Sequence, residues 1–75
     1  MTTDMNENEL EFTIFCIENI ADKLKIDSEV IFEKLNKSDI IKGYIVPEYE
    51  MLHTQSKEYI IEELIEVMKE RGVLD

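Results

Sequence analysis

Apolar residues recur along this chain mostly at helical spacing. From Glu7 onward, Leu10, Ile14, Ile17, Ala21 and Leu24 follow the i, i+4, i+7, i+11, i+14 rhythm of one helix face. Phe12, Phe15, Cys16 and Ile20 widen that face to most of the circumference, the mark of a central helix packed on more than one side. Glu7, Glu9 and Glu11 stand in its first turns and Lys23 and Lys25 at its end, as the helix dipole favours. The pattern breaks at Ile26-Asp27-Ser28, where Asp27 or Ser28 can cap a second helix with a stripe of Val30, Ile31 and Leu35. Ser38-Asp39 offers another cap, Ile40-Ile41-Lys42 another short turn, and Gly43 a left-handed stop. A last helix, capped by Thr54 or Ser56, carries Ile60, Ile61, Leu64, Ile65, Val67 and Met68, and Gly72 ends it.

One stretch differs in kind. Tyr44-Ile45-Val46 places three β-formers before Pro47, and the proline ring pushes Val46 towards an extended conformation. This predicts an extended connector or very short strand, with Pro47 opening a helical turn from Glu48 to Leu52. The expected fold is all-α: a small bundle of two longer helices, near 8–24 and 56–71, joined by short helices and this extended connector. Residues 1–6 are polar and expected to be a flexible terminus; residues 7–75 form one helical domain.

Composition narrows the function. The 75 residues carry a net charge of −10, with 9 acids and 4 bases in residues 1–37 and the same again in residues 38–75. The acids are dispersed, so they read as solvated helix faces. A surface of this sign lacks the clustered Lys and Arg that nucleic acid needs, and it disfavours anionic membranes. No run of 18 apolar residues could span a bilayer. The N-terminus lacks the basic and apolar regions of a signal peptide, and a single free cysteine suits a reducing cytoplasm. One cysteine can form neither an internal disulfide nor a cysteine-built zinc site, so a partner or self-association is the remaining aid to so small a core.

The chemistry-bearing residues weigh against an enzyme. His53 is the only histidine. Glu50-Met51-Leu52-His53 has the Glu-x-x-His spacing of di-iron bundles, which need two such motifs and two further carboxylates. His53 is better read as a structural group that hydrogen-bonds backbone ahead of the last helix. Cys16 sits among apolar neighbours, where a thiol is inert. No phosphate loop or nucleophile motif occurs, so no catalytic residue, metal or cofactor is expected.

The tyrosines are the most suggestive group, because tyrosine presents an apolar body with a polar tip and is enriched at interfaces. Tyr44, Ile45, Val46, Tyr49, Met51, His53, Gln55 and Tyr59 are the candidate partner-binding residues. An extended Tyr44–Val46 could accept a strand from the partner. The leading reading is therefore a non-enzymatic protein-interaction module that binds a basic protein partner, or itself. The alternative is a helix-turn-helix-like transcriptional regulator, with the helix from Ser28 to Lys37 as reader offering Lys34 and Lys37 to the groove; Asp27, Glu29 and Glu33 alongside them, and the lack of arginine, count against that.

The run Tyr44-Ile45-Val46-Pro47, then Tyr49, Leu52-His53-Thr54-Gln55 and Glu58-Tyr59, together with Phe15-Cys16-Ile17-Glu18, resembles a small uncharacterised bacterial domain family of unknown function. The resemblance extends from about residue 9 to 73, with Ser56 standing where glycine is expected. It brings no chemistry. Members of that family stand beside larger proteins, some similar to ADP-ribosyltransferases, which implies an antitoxin-like or regulatory partner role.

Overall fold

The computed structural model describes residues 5–74, and the elements in order are α1 (Glu7–Leu24), α2 (Ser28–Lys37), a π-helix (Ile41–Ile45), α3 (Tyr49–Leu52) and α4 (Lys57–Glu70). The described residues contain no strand. Both long helices fall where the apolar periodicity places them. Their ends are set by local hydrogen bonds that the sequence advertises. Asn6 and Glu9 form a reciprocal capping box at the start of α1, with Glu9 N–H donating to Asn6 Oδ1 at 2.7 Å and Asn6 N–H to Glu9 Oε1 at 3.1 Å. Of the expected flexible terminus, residues 1–4 lie outside the described residues. Met5 packs against the core and Asn6 caps α1, so these two belong to the folded unit.

Lys25 ends α1 in the left-handed region at φ 59°, and Ile26 N–H reaches back to Ala21 O at 3.0 Å. Asp27 caps α2 by accepting from Glu29 N–H at 3.3 Å. Ser56 caps α4 by accepting from Tyr59 N–H at 3.1 Å, whereas Thr54 Oγ1 donates to Met51 O at 2.8 Å and closes α3. Gly72, at φ 76°, stops α4, and Val73 N–H then bonds Met68 O at 3.0 Å. Two long side chains join the C-terminal ends of α2 and α4: Lys34 Nζ donates to Val73 O at 3.1 Å, and Arg71 Nη1 to Ser38 O at 2.8 Å.

Helix α1 is central, packing on both α2 and α4. The core contains Cys16, Ile20, Ile31, Leu35, Ile40, Ile45, Leu64 and Met68, all fully buried. The arc of α1 that is buried is not the one the simplest periodicity selects. Phe12, Thr13, Cys16, Ile17, Ile20 and Ala21 face inward, while Leu10 and Ile14 are 42% and 46% exposed. Thr13 is satisfied inside by donating from Oγ1 to Glu9 O at 2.8 Å. The stripe of α2 is likewise narrower than expected: Ile31 and Leu35 are buried, but Val30 is exposed.

The connector before Pro47 is the main departure from expectation. Residues 41–45 form a π-helix, and Val46 is helical at φ −68°, ψ −50° despite the following proline. Its N–H donates to Ile41 O at 2.9 Å, and Glu48 N–H to Tyr44 O at 3.0 Å. The physical reason lies in pairing and burial. No strand occurs among the described residues to satisfy an extended backbone, whereas a helical turn satisfies its own and still buries Ile40, Ile41 and Ile45. Gly43 therefore does not stop a helix but lies within one. A Cβ there would sit 2.6 Å from Asp39 Oδ2, so the glycine makes room for that carboxylate. Ser38 caps no following helix; its Oγ donates back to Lys34 O at 2.7 Å and finishes α2.

Candidate functional site

The π-helix, α3, the start of α4 and the turns between them carry the eight candidate partner-binding residues, and folding divides them into two groups. Ile45 is fully buried and unavailable to a partner. Tyr44 and Val46 pack partly against the core. The Tyr44 hydroxyl donates to Glu63 Oε2 on α4 at 3.2 Å. Burial, reinforced by the Glu63 charge and hydrogen bond and more weakly by Glu48 and Tyr59, pushes the Tyr44 hydroxyl up to about 12. Because this segment is helical and its backbone bonds internally, it offers no strand edge, and addition of a partner strand at 44–46 is set aside.

Tyr49 is half-buried between two rings. It meets Phe12 of α1 edge-on, with centroids 5.3 Å apart and planes at 73°, and it stacks on His53 at 4.5 Å and 11°. The stack follows from sequence spacing: residues 49 and 53 are four apart, and His53 N–H bonds Tyr49 O at 3.0 Å. The imidazole thus serves as a ring on Tyr49, and no hydrogen bond from it to backbone occurs among the described residues, contrary to the expected role. Met51, His53, Gln55 and Tyr59 are exposed, Met51 at 68% and Tyr59 at 49%. These four form the accessible part of the candidate set.

The other chemistry-bearing groups are also placed. The Cys16 thiol is fully buried in apolar surroundings, and burial pushes it up to about 12. Glu50 and His53 are both exposed, and no three His, Cys, Asp or Glu side chains group so as to hold a metal ion among the described residues. On α2, the would-be reader helix, Glu29, Phe32 and Glu33 are exposed, while Lys34 is held by Val73 O.

The sequence reading missed a second surface. Ile14, Ile17 and Glu18 of α1 and Ser28, Glu29 and Phe32 of α2 line a shallow groove of about 240 Å³ between the two helices. Phe32 is 46% exposed, and Leu10 lies one turn before Ile14 on the same face. A signal was present: Leu10 has Glu7 three residues before it, and Ile14 has Glu11 before and Glu18 after, so both sit beside acids one turn away.

The architecture defines a small, acidic, all-α domain with exposed apolar side chains along the α1–α2 groove and at Met51 and Tyr59, and no helix among the described residues is long and apolar enough to cross a membrane. The chain belongs to the family described as Protein of unknown function (DUF3791), whose model matches residues 11–71. That span includes all eight candidate residues. No curated protein and no solved structure matches the chain.

Proposed function

We propose that this chain is a non-enzymatic protein-interaction module whose contact surface includes Met51, His53, Gln55 and Tyr59, and that its partner is basic. The observation that carries this reading is the 68% exposure of Met51, together with the 49% exposure of Tyr59, on a chain of net charge −10. Neither side chain is needed inside the core, and methionine and tyrosine are both enriched at protein interfaces. The Tyr49–His53 stack, braced by Phe12, holds the α3 end of this surface in place. The acids then steer a basic partner to it. An antitoxin-like neutraliser or regulator of a larger protein, acting in the cytoplasm, is the specific form of this role. The transcription-regulator reading is weaker, because α2 presents Glu29, Phe32 and Glu33 to solvent alongside Lys37, where a DNA reader needs mainly donors to bases and phosphates.

The test is capture of the tagged full chain from native lysate, with light scattering of the eluate, run in parallel on Met51→Asp and Tyr59→Ala. A stoichiometric basic partner that both substitutions release supports the proposal. Retention of every bound protein by both variants overturns it, as does salt-sensitive binding of DNA in place of protein.

A further inference from the structure

The α1–α2 groove is a second surface with chemistry of its own. Its floor is apolar, from Ile14, Ile17 and Phe32, and the two charged side chains that line it, Glu18 and Glu29, are both acidic. The single sign extends beyond the groove. From Glu7 to Asp22, α1 carries no base, and α2 carries none before Lys34. Leu10 continues the apolar line one turn further, so Leu10 to Ile17 covers about 10 Å of helix axis. At about 240 Å³ the groove is smaller than the roughly 300–1,000 Å³ of small-molecule pockets.

We infer that this groove seats an amphipathic helix of a basic partner protein, with apolar anchors at i, i+3 or i+4, and i+7 on the Leu10–Ile14–Ile17–Phe32 line, and Lys or Arg flanking them opposite Glu18 and Glu29. Two features select this occupant. A helix advances about 10 Å between i and i+7, which is the length of the apolar line from the exposed Leu10 and Ile14 to the buried Ile17 at the groove floor, and docking of a helix into a two-helix groove is a recurrent mode of recognition. Charge excludes a second copy of this chain: a self-complementary interface would set Glu7, Glu11, Glu18, Glu29 and Glu33 against acids of the same kind. A basic helix converts that repulsion into attraction and registers on the groove through it. The inference deepens the protein-interaction reading by giving the partner a structural class, but it uses a surface other than Met51–Tyr59.

The experiment is an NMR titration of the isotopically labelled full chain with a synthetic helical peptide bearing leucines at i, i+3, i+4 and i+7 and lysines elsewhere. A peptide of the same composition, scrambled to remove the helical spacing, is the control. The expected result is shift changes concentrated at Leu10, Ile14, Ile17 and Phe32, and affinity at least tenfold weaker for the scrambled peptide. Phe32→Asp and Ile14→Asp, both at exposed positions, should each weaken binding tenfold or more. Glu18→Lys and Glu29→Lys, which leave the apolar floor intact, should weaken it several-fold. Equal affinity for the scrambled peptide overturns the inference, as do shifts centred on Met51 and Tyr59 or indifference to all four substitutions. Met51→Asp should leave peptide binding unchanged, so the groove and the Met51–Tyr59 surface can fail independently.

Discussion

The Tyr44 hydroxyl reaches across 19 residues of sequence to donate to Glu63 on α4, tying the π-helix to the last helix. Removing the hydroxyl in Tyr44→Phe leaves the ring's packing in place and deletes this bond. The expected cost is about 1 kcal/mol. In a domain of this size that lowers Tm by about 4–8 °C. Because Tyr44 is pushed from 10.0 up to about 12, the folded state keeps a proton that the unfolded chain releases. The associated stability is fully present below pH 10 and is lost as pH rises towards 12. Thermal melts of wild type and Tyr44→Phe across that range should therefore converge.

Cys16 follows the same sign and shares the leading cause, without a charged neighbour to reinforce it. Its thiol is raised by burial alone, from 9.0 to about 12. Urea denaturation between pH 9 and 10, below the range in which Tyr44 contributes, should show stability falling by up to about 1.4 kcal/mol per pH unit. Cys16→Ala should flatten that slope even though it lowers stability at neutral pH. A thiol reagent should label Cys16 only as fast as the chain opens; immediate labelling of the native protein would contradict its burial.

Lys25 holds a left-handed conformation at φ 59° in the turn between α1 and α2. A Cβ is disfavoured there and glycine is not. Lys25→Gly should stabilise the domain by about 0.5–1 kcal/mol, and Lys25→Val should destabilise it by more than that. Denaturation midpoints should move in opposite directions at constant m-value.

Tyr49 and Met51 are two residues apart and should behave differently. Tyr49 is half-buried against Phe12 and His53, so Tyr49→Ala is expected to cost about 2 kcal/mol. Met51 is mostly exposed, so Met51→Ala should change stability by less than about 0.5 kcal/mol. Equal destabilisation by the two would mean that Met51 is part of the core and not of a contact surface. Tyr49 is correspondingly a poor probe of partner binding, because its removal loosens the fold.

Much of the fold was legible from local patterns. The extents of α1 and α4, the caps at Asp27 and Ser56, and the stop at Gly72 all follow from interactions within a few residues. The candidate site was legible only in part. Met51, His53, Gln55 and Tyr59 are accessible, whereas Ile45 lies in the core and Tyr44 and Tyr49 are engaged with Glu63 and Phe12. Tyrosine suits an interface and a half-buried contact equally well, so composition does not separate the two.

Sequence by itself determined the elements that depend on neighbours along the chain: helical periodicity, capping side chains, an acidic exterior and an inert cysteine among apolar residues. Tertiary structure decided two things that no local pattern contains. Helix α1 is apolar around most of its circumference, and only the positions of α2 and α4 determine which arc is covered, leaving Leu10 and Ile14 beside Phe32 in the open. Residues 44–46 prefer extended backbone when considered alone. With no strand among the described residues to pair with them, a helical turn that pairs its own backbone and buries Ile45 outweighs that preference, even next to Pro47.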